Sequence, residues 1–480
     1  MVPSSSRSFV TTQGAQLVDG FGQPLTLRGV NLGGWLNMEN FVTGHPANES
    51  LMRDAVRRAI GDDKYQRYFT SFLDNFFTDD DAQFLAETGI NSVRIAVNYR
   101  HFEDDMNPFV LQGDGIAQLD RVVGICARHG IYAILDMHAV PGSQNHHWHS
   151  DNQTHRALFW QYVHFQDRAV WLWEQLADHY RDNVWVAGYN LLNEPADESR
   201  EVVGPFYARL IMAIRAIDPH HTLFVDGNTY ATEFDIFGDP TENTVYTCHD
   251  YAAASLARYG EYPGYTEGAW YDKGTLEAKF LSRTEYSRRT GTPLYVGEFG
   301  PIYTGDPARD AQLYQVLDDQ LSIYREHGAG WCIWMYKDVG RQGLTAAGPQ
   351  TPYRTRFASF IAKKERLATD AWGPDYSSVA HLLDPVQDFV KAEFPDFDGY
   401  PWGTPDWVRT LMPHILFAQP LVGQYADLFR GLDDSELRAL AESFALRNCV
   451  VREPLRARLA AQAATDTPRL TPCQARSETQ

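Results

Sequence analysis

The chain has 480 residues, of which 44% are hydrophobic and 22% charged, a composition typical of a globular protein. Its apolar runs fall well short of the roughly 18 residues that a membrane-spanning helix requires. The net charge of −20 argues against nucleic acid or an anionic membrane surface as a partner, because a phosphate-binding face needs concentrated Lys and Arg. A neutral ligand is compatible with this charge.

The N-terminus and the cysteines indicate the cellular compartment in which the protein is expected. The first eight residues, Met-Val-Pro-Ser-Ser-Ser-Arg-Ser, contain neither a charged n-region nor an apolar h-region, so they do not predict a signal peptide. The cysteines are scattered without a C-x-x-C pair, at Cys126, Cys248, Cys332, Cys449 and Cys473. Reduced, packed thiols in a cytoplasmic protein are therefore expected. Export of a mature form stays open.

Short β-branched runs alternate with longer helical patterns along most of the chain, which is typical of βαβ units. The predicted strands are residues 25–30, 92–97, 132–137, 186–191, 222–225, 244–248, 294–297 and 330–333. The predicted helices between and after them are residues 118–129, 167–180, 204–217, 274–290, 309–327 and 357–367. Eight strands in this order predict an α/β fold, a (β/α)8 TIM barrel.

The remaining segments are assigned around that barrel. A small N-terminal hairpin is expected at residues 9–19, so that residues 1–367 form the barrel domain. Long loops, which are usually functional in compact domains, are expected at residues 31–62, 138–165 and 250–273. A mainly helical C-terminal extension is predicted for residues 368–464, with helices at 434–446 and 453–464, followed by a disordered tail at 465–480.

Two glutamates carry the strongest functional signal. Glu194 lies in Leu-Asn-Glu-Pro and Glu298 in Val-Gly-Glu-Phe-Gly, each after an apolar, strand-like run. If both strands belong to one parallel barrel, their carboxylates emerge on the face where such barrels hold their active sites. Two carboxylates that face each other across a pocket are the minimum equipment for hydrolysing a glycosidic bond.

Other polar and aromatic residues fall at the carboxyl ends of the predicted strands. They are Arg94, His138, Asn193, His249, Tyr251 and Trp334. Any one of them is more often structural than catalytic. Together they favour an active site, because a barrel that is merely stable has no need of them at these positions. An arginine suits an ionised carboxylate, imidazole and amide groups suit sugar hydroxyls, and a tryptophan suits the apolar face of a pyranose.

This set resembles glycoside hydrolase family 5, the cellulase-like (β/α)8 glycosidases. The family pattern Arg, His, Asn-Glu, His-x-Tyr, Glu and Trp matches Arg94, His138, Asn193 with Glu194, His249 with Tyr251, Glu298 and Trp334. The resemblance covers about residues 9–367. It implies that Glu194 is the acid/base and Glu298 the nucleophile of a retaining double displacement that needs no cofactor or metal. Their carboxyl groups should then lie about 5 to 5.5 Å apart.

Two segments indicate which members of this family the chain resembles. Residues 27–36 (Leu-Arg-Gly-Val-Asn-Leu-Gly-Gly-Trp-Leu) and 138–145 (His-Ala-Val-Pro-Gly-Ser-Gln-Asn) are similar to exo-β-1,3-glucanases and β-glucosidase-like members of that family. They favour a pocket over an open cleft. The next residues, 146–151 and His155, depart from those subgroups. A zinc site there is less favoured than a substrate-contacting or surface loop, because the histidines lack a fixed ligand spacing.

Outer substrate contacts are expected from loops near the strand ends. The candidates are Trp35, Glu39, Asn98, Trp148, Tyr230 and Lys337. For the aromatic candidates, packing in the core is an equally good explanation. For Lys337, the equal alternative is a surface salt bridge.

The sequence thus predicts a cytoplasmic, cofactor-free retaining β-glycosidase that removes a terminal hexose, first of all glucose, from small glycosides or oligosaccharides. Its partner is a small carbohydrate, and no nucleic acid or membrane span is expected. A β-mannosidase and an endo-β-glucanase of the same family are alternatives, and an inactive carbohydrate-binding barrel is the non-enzymatic one. The sequence does not determine the oligomeric state.

Overall fold

The computed structural model describes residues 8–251, 260–266, 268–369 and 376–465. Eight parallel strands form a closed barrel in which each strand pairs with the next and the last returns to the first. They are β1 (Arg28–Leu36), β2 (Ser92–Asn98), β3 (Tyr132–Ala139), β4 (Val186–Asn190), β5 (Thr222–Asp226), β6 (Thr244–His249), β7 (Leu294–Glu298) and β8 (Gly330–Ile333). The predicted (β/α)8 barrel is confirmed.

Helices surround the barrel. They are Asn40–Thr43, Glu49–Ile60, Asp62–Phe76 and Asp79–Glu87 after β1, Gly113–Arg128 after β2, Val163–Tyr180 after β3, Val203–Ile217 after β4, Asn228–Ala231 after β5, Lys273–Arg283 and Glu285–Thr290 after β6, Pro307–Glu326 after β7, and Pro352–Arg366 after β8. The single helix predicted for residues 274–290 is two helices, which meet at Thr284.

The long loop predicted after the first strand is wrong for much of its length. β1 continues to Leu36, and a helix spans Glu49–Ile60. That helix buries Met52, Ala55 and Val56, a spacing that places the three apolar side chains on one face. The loop predicted at residues 138–165 does lack long elements and contains only the short 3-10 turns Trp148–Ser150 and Leu158–Trp160 before helix Val163–Tyr180 begins.

Two small sheets lie at the barrel's periphery. At the N-terminus the predicted hairpin is part of a three-stranded sheet, Thr11–Gln13, Gln16–Val18 and Pro24–Leu25. The segment after β6 contains the antiparallel pair Gly264–Thr266 and Ala269–Tyr271. Residues 252–259 and 267 of that predicted loop lie outside the described residues.

The C-terminal region is mainly helical, as predicted. Its helices are Ala380–Glu393, Thr404–Arg409, the π-helix Thr410–Phe417, Ala418–Asp427, Asp434–Glu442 and Glu453–Thr465. Its strand Cys449–Val451 pairs with Thr345–Ala347, which in turn pairs with Lys337–Asp338 just after β8. The predicted disordered tail lies, apart from residue 465, outside the described residues.

These C-terminal elements share the main hydrophobic core with the barrel's helices. Phe429 packs against Tyr68, with ring centroids 5.1 Å apart, and Phe444 packs against Phe72 at 5.2 Å. All four side chains belong to one buried cluster that also contains residues of the barrel strands. Within the described ranges, every helix is too short or too polar to traverse a bilayer.

Candidate active site

Glu194 and Glu298 lie together at the carboxyl end of the barrel. Glu298 is the last residue of β7, and Glu194 follows β4 by four residues. One carboxylate oxygen of each lies within 4.8 Å of the other, and both side chains are buried. The structure thus brings together two acids that are 104 residues apart in the chain (298 − 194).

The backbone of Glu194 is held in an unusual conformation. Its φ is 47°, in the left-handed region that non-glycine residues rarely adopt. The Glu194 N–H donates to Asp226 Oδ2 at 3.0 Å, and its carbonyl accepts from Asn145 Nδ2 at 3.0 Å. Both main-chain polar groups are therefore satisfied, and the surrounding residues hold the carboxyl where an ordinary strand residue would not place it.

Arg94 is the cation beside Glu298, and it is the third residue of β2 rather than at the carboxyl end predicted for it. Its Nη1 donates to Glu298 Oε1 at 2.9 Å and to Asn31 Oδ1 at 2.9 Å. Its Nη2 donates to Asn193 Oδ1 at 2.7 Å and lies 3.1 Å from Asp136 Oδ1. The side chain is fully buried, so these neighbours fix the guanidinium and, through it, one oxygen of Glu298.

The second oxygen of Glu298 faces β6. Tyr251 donates its hydroxyl to Oε2 at 2.8 Å, and His249 Nδ1 lies 3.7 Å from the same oxygen. The register explains this, since His249 is the neighbour of Glu298 in the parallel pairing of β6 with β7. At neutral pH, Oε1 of Glu298 accepts a hydrogen bond from Arg94 and Oε2 accepts one from Tyr251. Both bonds favour the ionised form of this carboxyl.

A short hydrogen bond joins His249 to Glu194. His249 Nδ1 lies 2.6 Å from Glu194 Oε1. Although burial opposes it, the negative charges of Glu298, Asp226 and Glu194 raise the pKa of His249. Burial by itself raises the pKa of Glu194, but the charged imidazole of His249 lowers it, and the lowering prevails. The proton of this hydrogen bond, when placed on the carboxyl, gives a neutral histidine and an un-ionised Glu194.

The two carboxyls are coupled. Burial, and then the charge of Glu194, raise the pKa of Glu298, against the opposing effects of His249 and Arg94. When the proton of the hydrogen bond to His249 lies on Glu194, the charge that raises the pKa of Glu298 disappears. Protonation of Glu194 and ionisation of Glu298 therefore favour each other.

His138, at the end of β3, is a charged group of the site. Its Nδ1 lies 2.7 Å from Asp136 Oδ2, and its Nε2 lies 3.4 Å from Glu39 Oε1. Burial opposes protonation, but Asp136 and Glu39 raise the pKa of His138 to about 10. Its ring stacks on Trp334, with centroids 5.4 Å apart and planes 16° apart.

Three of the predicted outer contacts have their polar atoms bound elsewhere. Trp35 is fully buried and donates its Nε1 to the carbonyl of Leu73 at 3.0 Å. Asn98 donates to Glu49 Oε2 at 3.2 Å. Lys337 is also fully buried, and its Nζ donates to Asp81 Oδ1 at 2.6 Å and to the carbonyls of Phe76 and Phe444 at 2.7 and 2.8 Å. The structure does not bring these three side chains to the carboxylates.

The other three outer candidates do lie near the site. Glu39 contacts His138, and Trp148 donates its Nε1 to Glu39 Oε2 at 3.4 Å. The Tyr230 ring lies 6.1 Å from that of His149, whose Nε2 is 3.1 Å from Glu194 Oε2. Trp148 and Tyr230 thus lie next to the histidines of the loop after β3, close to the Glu194 side of the site.

Sequence reasoning missed several polar residues of the site. They are Asn31, Asp136, Asn145, His149, Asn190 and Asp226. A signal existed for two of them. Asp136 is two residues before His138 on one strand, so both side chains point to the same face, and Asp226 is a carboxylate that ends the apolar strand β5.

Glu194, His249 and Glu298 are also the one group of three potential metal ligands found among the described residues. Glu298 already pairs with Arg94 at 2.9 Å, and a guanidinium at that distance competes with a metal ion for the same oxygen. In the loop after β3, burial lowers the pKa of His146 to about 4, aided by His155. The expectation that the protein uses no metal stays a prediction.

Comparisons with known proteins agree with this geometry. The family profile described as "Cellulase (glycosyl hydrolase family 5)" matches residues 60–340, more than half of the chain. A protein from Phanerodontia chrysosporium named "Beta-xylosidase" is 46% identical over 463 residues, 93% of this chain and 97% of that protein. The chain belongs to glycoside hydrolase family 5.

More distant similarities are found in sequence and in structure. "Probable glucan 1,3-beta-glucosidase A" of Aspergillus niger is 26% identical, over 66% of this chain and 84% of that protein. Thermotoga maritima Cel5A, solved in complex with mannotriose, is 18% identical with a TM-score of 0.50, covering 66% of this chain and 92% of that one. This last likeness shows the fold alone. As a family 5 member, the protein is a retaining glycoside hydrolase.

Proposed function

We propose that this family 5 enzyme removes single terminal sugars from small β-glycosides, with β-D-xylosides as the first substrate class and β-D-glucosides as the second. The observation that carries the proposal is the buried pair of Glu194 and Glu298 with its unequal partners. Imidazoles, which can give up or take a proton, face Glu194, whereas Arg94 and Tyr251 face Glu298.

These partners fit two different roles. Glu298 attacks the anomeric carbon while the un-ionised Glu194 gives its proton to the departing glycosidic oxygen. Glu194 then takes a proton from water as that water releases the sugar from Glu298. The distance between the two carboxyl groups supports this double displacement. One oxygen of Glu194 lies within 4.8 Å of one oxygen of Glu298, and carboxyl groups of retaining enzymes lie about 5 to 5.5 Å apart, whereas those of inverting enzymes lie about 6.5 to 9.5 Å apart.

Exo action is supported by a wall that the C-terminal region adds beside the carboxylates. His414 packs on Trp148, with ring centroids 4.7 Å apart, and Trp402 packs on Tyr230 at 5.6 Å. Tyr400 bonds Thr229 Oγ1 at 3.1 Å. A pocket closed on one side accepts a chain end better than the middle of a polysaccharide.

The sugar is inferred from the relatives. The Phanerodontia chrysosporium protein named for β-xylosidase activity is similar across nearly its whole length and includes the C-terminal region. Glucose, which the sequence predicts, ranks second because the glucan 1,3-β-glucosidase relative is only 26% identical and matches 66% of this chain.

Initial rates on p-nitrophenyl β-D-xyloside, β-D-glucoside and β-D-mannoside, and on a long β-glucan, test the proposal. We expect the highest kcat/KM on the xyloside, less on the glucoside, and little release from the glucan. Glu298→Ala should abolish turnover, whereas the control Glu242→Ala should not, since Glu242 is exposed and precedes β6 at the opposite end of the barrel. Cleavage of the glucan without turnover of any aryl glycoside would exclude exo action.

A further inference from the structure

Tyr230, in the segment after β5, links the surroundings of Glu194 to the C-terminal region. Its N–H donates at 3.1 Å to the carbonyl of Pro195, the residue that follows Glu194. Burial, and then the charge of Glu194, raise the pKa of the Tyr230 hydroxyl, so the two side chains interact. The Tyr230 ring also contacts that of Trp402, with centroids 5.6 Å apart and planes 43° apart. An aromatic path therefore leads from the acid to the C-terminal region.

Trp402 is held in place although much of its side chain faces solvent. It is 48% exposed, whereas Tyr230 is 6% exposed. Two residues before it, the Tyr400 hydroxyl bonds Thr229 Oγ1 at 3.1 Å, and the Tyr400 ring lies 5.8 Å from that of His146. These contacts attach the segment to the loops after β5 and β3. A single exposed aromatic ring is ordinary, but one that is held next to the neighbours of a reactive carboxyl fits a ligand contact.

The histidines beside these rings are uncharged at neutral pH. Burial, aided by neighbouring histidines, lowers the pKa of His146 to about 4 and that of His147 well below its usual value. The His147 ring lies 5.1 Å from that of Tyr230. Neutral imidazoles and aromatic faces suit a ring that has an apolar face and hydroxyl groups at its edge. The net charge of −20 disfavours an anionic ligand.

The leaving group belongs on this side of the site. The acid gives its proton to the glycosidic oxygen, which departs with the leaving group, so that group adjoins Glu194 and its outer neighbours. We propose that Trp402 and Tyr230 form a leaving-group subsite, in which their rings hold the apolar face of a second β-linked pyranose. The proposal rests on the proposed function, since it takes Glu194 as the proton donor.

The leaving-group subsite is filled in only one step of hydrolysis. As the C1–O bond breaks, its electron pair stays on the departing sugar's oxygen, which takes the Glu194 proton while Glu298 bonds C1. Water then gives a proton to Glu194, its oxygen bonds C1, and Glu298 leaves as a carboxylate. When a second pyranose fills the subsite instead, its hydroxyl takes the place of water and a new glycoside forms. A weakened subsite therefore slows the first step and transfer to sugars, but not hydrolysis of the glycosyl-enzyme.

Two substitutions test the proposal. Trp402→Ala removes the ring, and Trp402→Phe keeps an aromatic face. The matched control is Phe21→Ala, because Phe21 is 56% exposed in the N-terminal sheet, whose Thr12 N–H donates to Asn243 just before β6, at the opposite end of the barrel. Each variant is assayed on xylobiose, whose leaving group is a pyranose, on p-nitrophenyl β-D-xyloside, whose leaving group is an aryl ring, and on β-D-xylosyl azide, whose leaving group has no ring.

In Trp402→Ala we expect kcat/KM to fall about 5- to 30-fold on xylobiose, which corresponds to the loss of about 40 to 80 Å² of apolar contact, and by less than about twofold on the azide. The yield of xylotriose from transfer to xylobiose should fall by a similar factor. The alkaline limb of the pH profile should not move, because the acid keeps its own partners. Trp402→Phe should restore most of both losses, and Phe21→Ala should match the wild type.

Two results would overturn the proposal. Equal losses on xylobiose and the azide, or a moved alkaline limb, would show that Trp402→Ala disturbs the acid rather than a sugar contact. A loss on the p-nitrophenyl xyloside without one on xylobiose would indicate a site for aryl groups instead of a pyranose.

The proposed function can fail separately. If the wild type releases no xylose from these compounds, the substrate proposal is wrong, and the leaving-group subsite is then tested by binding alone. Calorimetry gives the Kd of xylotriose and of cellotriose for Glu298→Ala with and without Trp402→Ala. The Kd of the trisaccharide that binds should rise about 5- to 30-fold in the double variant. An unchanged Kd, or binding of neither trisaccharide, would refute the subsite.

Discussion

The two glutamates differ less in themselves than in their partners. Both are buried carboxyls at the carboxyl end of the barrel, but Glu298 faces Arg94 and Tyr251 whereas Glu194 faces two histidines. Because their charges repel, one proton serves the pair, and the hydrogen-bond partners decide where it resides. The chemistry of this site is therefore encoded in the residues around the acids.

A chemical rescue distinguishes the two roles. In Glu298→Ala, azide can fill the vacated space and attack C1 directly, so we expect an α-glycosyl azide from a dinitrophenyl β-glycoside. In Glu194→Ala, azide should attack the glycosyl-enzyme instead and give the β-anomer. Without azide, Glu194→Ala should be slowed by about 10²- to 10⁴-fold on phenyl glycosides. NMR identifies the anomers, and the same anomer from both variants would contradict the assignment.

His138 gives the protein a pH-dependent stability. Its pKa is raised from 6.5 to about 10 in the folded state, so the folded state binds the proton more tightly than the unfolded chain does. The stabilisation is complete below pH 6.5 and is lost as the pH rises through about 10. In urea titrations, the wild type should lose its advantage over His138→Asn across this range. A difference that is constant from pH 6 to pH 10 would refute this origin.

At this scale the sequence predicted which strand ends carry polar residues but not where each side chain points. His249 and Glu298 meet because the strand register aligns them, and the long Arg94 side chain reaches Glu298 from β2. Trp35 and Asn98 occupy equally promising positions, but their polar atoms bond to Leu73 and Glu49. The loop that contains His149 is predicted to contact substrate or lie on the surface, but its contact with Glu194 is not predicted, because an irregular loop has no periodicity that assigns its side chains to a face.

Among the elements, the short strand Lys337–Asp338 has a structural role. It follows β8 and pairs with Thr345–Ala347, and the Lys337 ammonium lies among Asp81 and two main-chain carbonyls with no exposed surface. A charge at this depth holds elements together rather than contacting a sugar.

Lys337→Met should therefore destabilise the fold and leave sugar binding intact. Removal of one partner of a buried ion pair costs about 3 to 5 kcal/mol, and urea denaturation measures this loss. The folded variant should keep the wild-type KM for the preferred aryl glycoside. As a control, Lys273→Met removes a half-exposed pair with Glu326 and should cost less than about 1 kcal/mol. A large rise in KM for Lys337→Met would restore its predicted role as a substrate contact.

The barrel strands were predicted well, but some helices were not. Helix Glu49–Ile60 lies inside a predicted loop, although its buried Met52, Ala55 and Val56 form an amphipathic face. The strand Cys449–Val451 is only three residues long and owes its pairing to Thr345–Ala347, a partner more than 100 residues earlier. No local pattern specifies such a contact.

On the scale of the whole molecule, the C-terminal region and the barrel share one core. Phe444 is fully buried against Phe72, Phe76 and Tyr353, whose rings lie 4.9 to 5.8 Å away. The sequence predicted a mainly helical region and two of its helices, at 434–446 and 453–464, but not that apolar faces of this region complete the packing of the helices after β1. Composition alone does not separate an appendage from a part of the core.

Phe444→Ala should weaken the entire protein. The loss of a fully buried phenylalanine costs about 3 to 5 kcal/mol. We expect a single urea transition at a lower midpoint, in which intrinsic fluorescence and enzymatic activity change at the same urea concentration. Phe389→Ala is the matched control, since Phe389 is 60% exposed. Two separate transitions in the wild type would show instead that the C-terminal region unfolds independently.

The pairing of Cys449–Val451 with Thr345–Ala347 has a consequence for biosynthesis. A ribosome that has made all eight barrel strands still holds a chain whose outer helices lack their last apolar partners. Barrel closure in the cell is therefore expected to await translation of these C-terminal helices, so that chaperones meet a long, partly exposed nascent chain. A premature stop codon beyond residue 430, remote from every catalytic group, would then be as damaging as one inside the barrel.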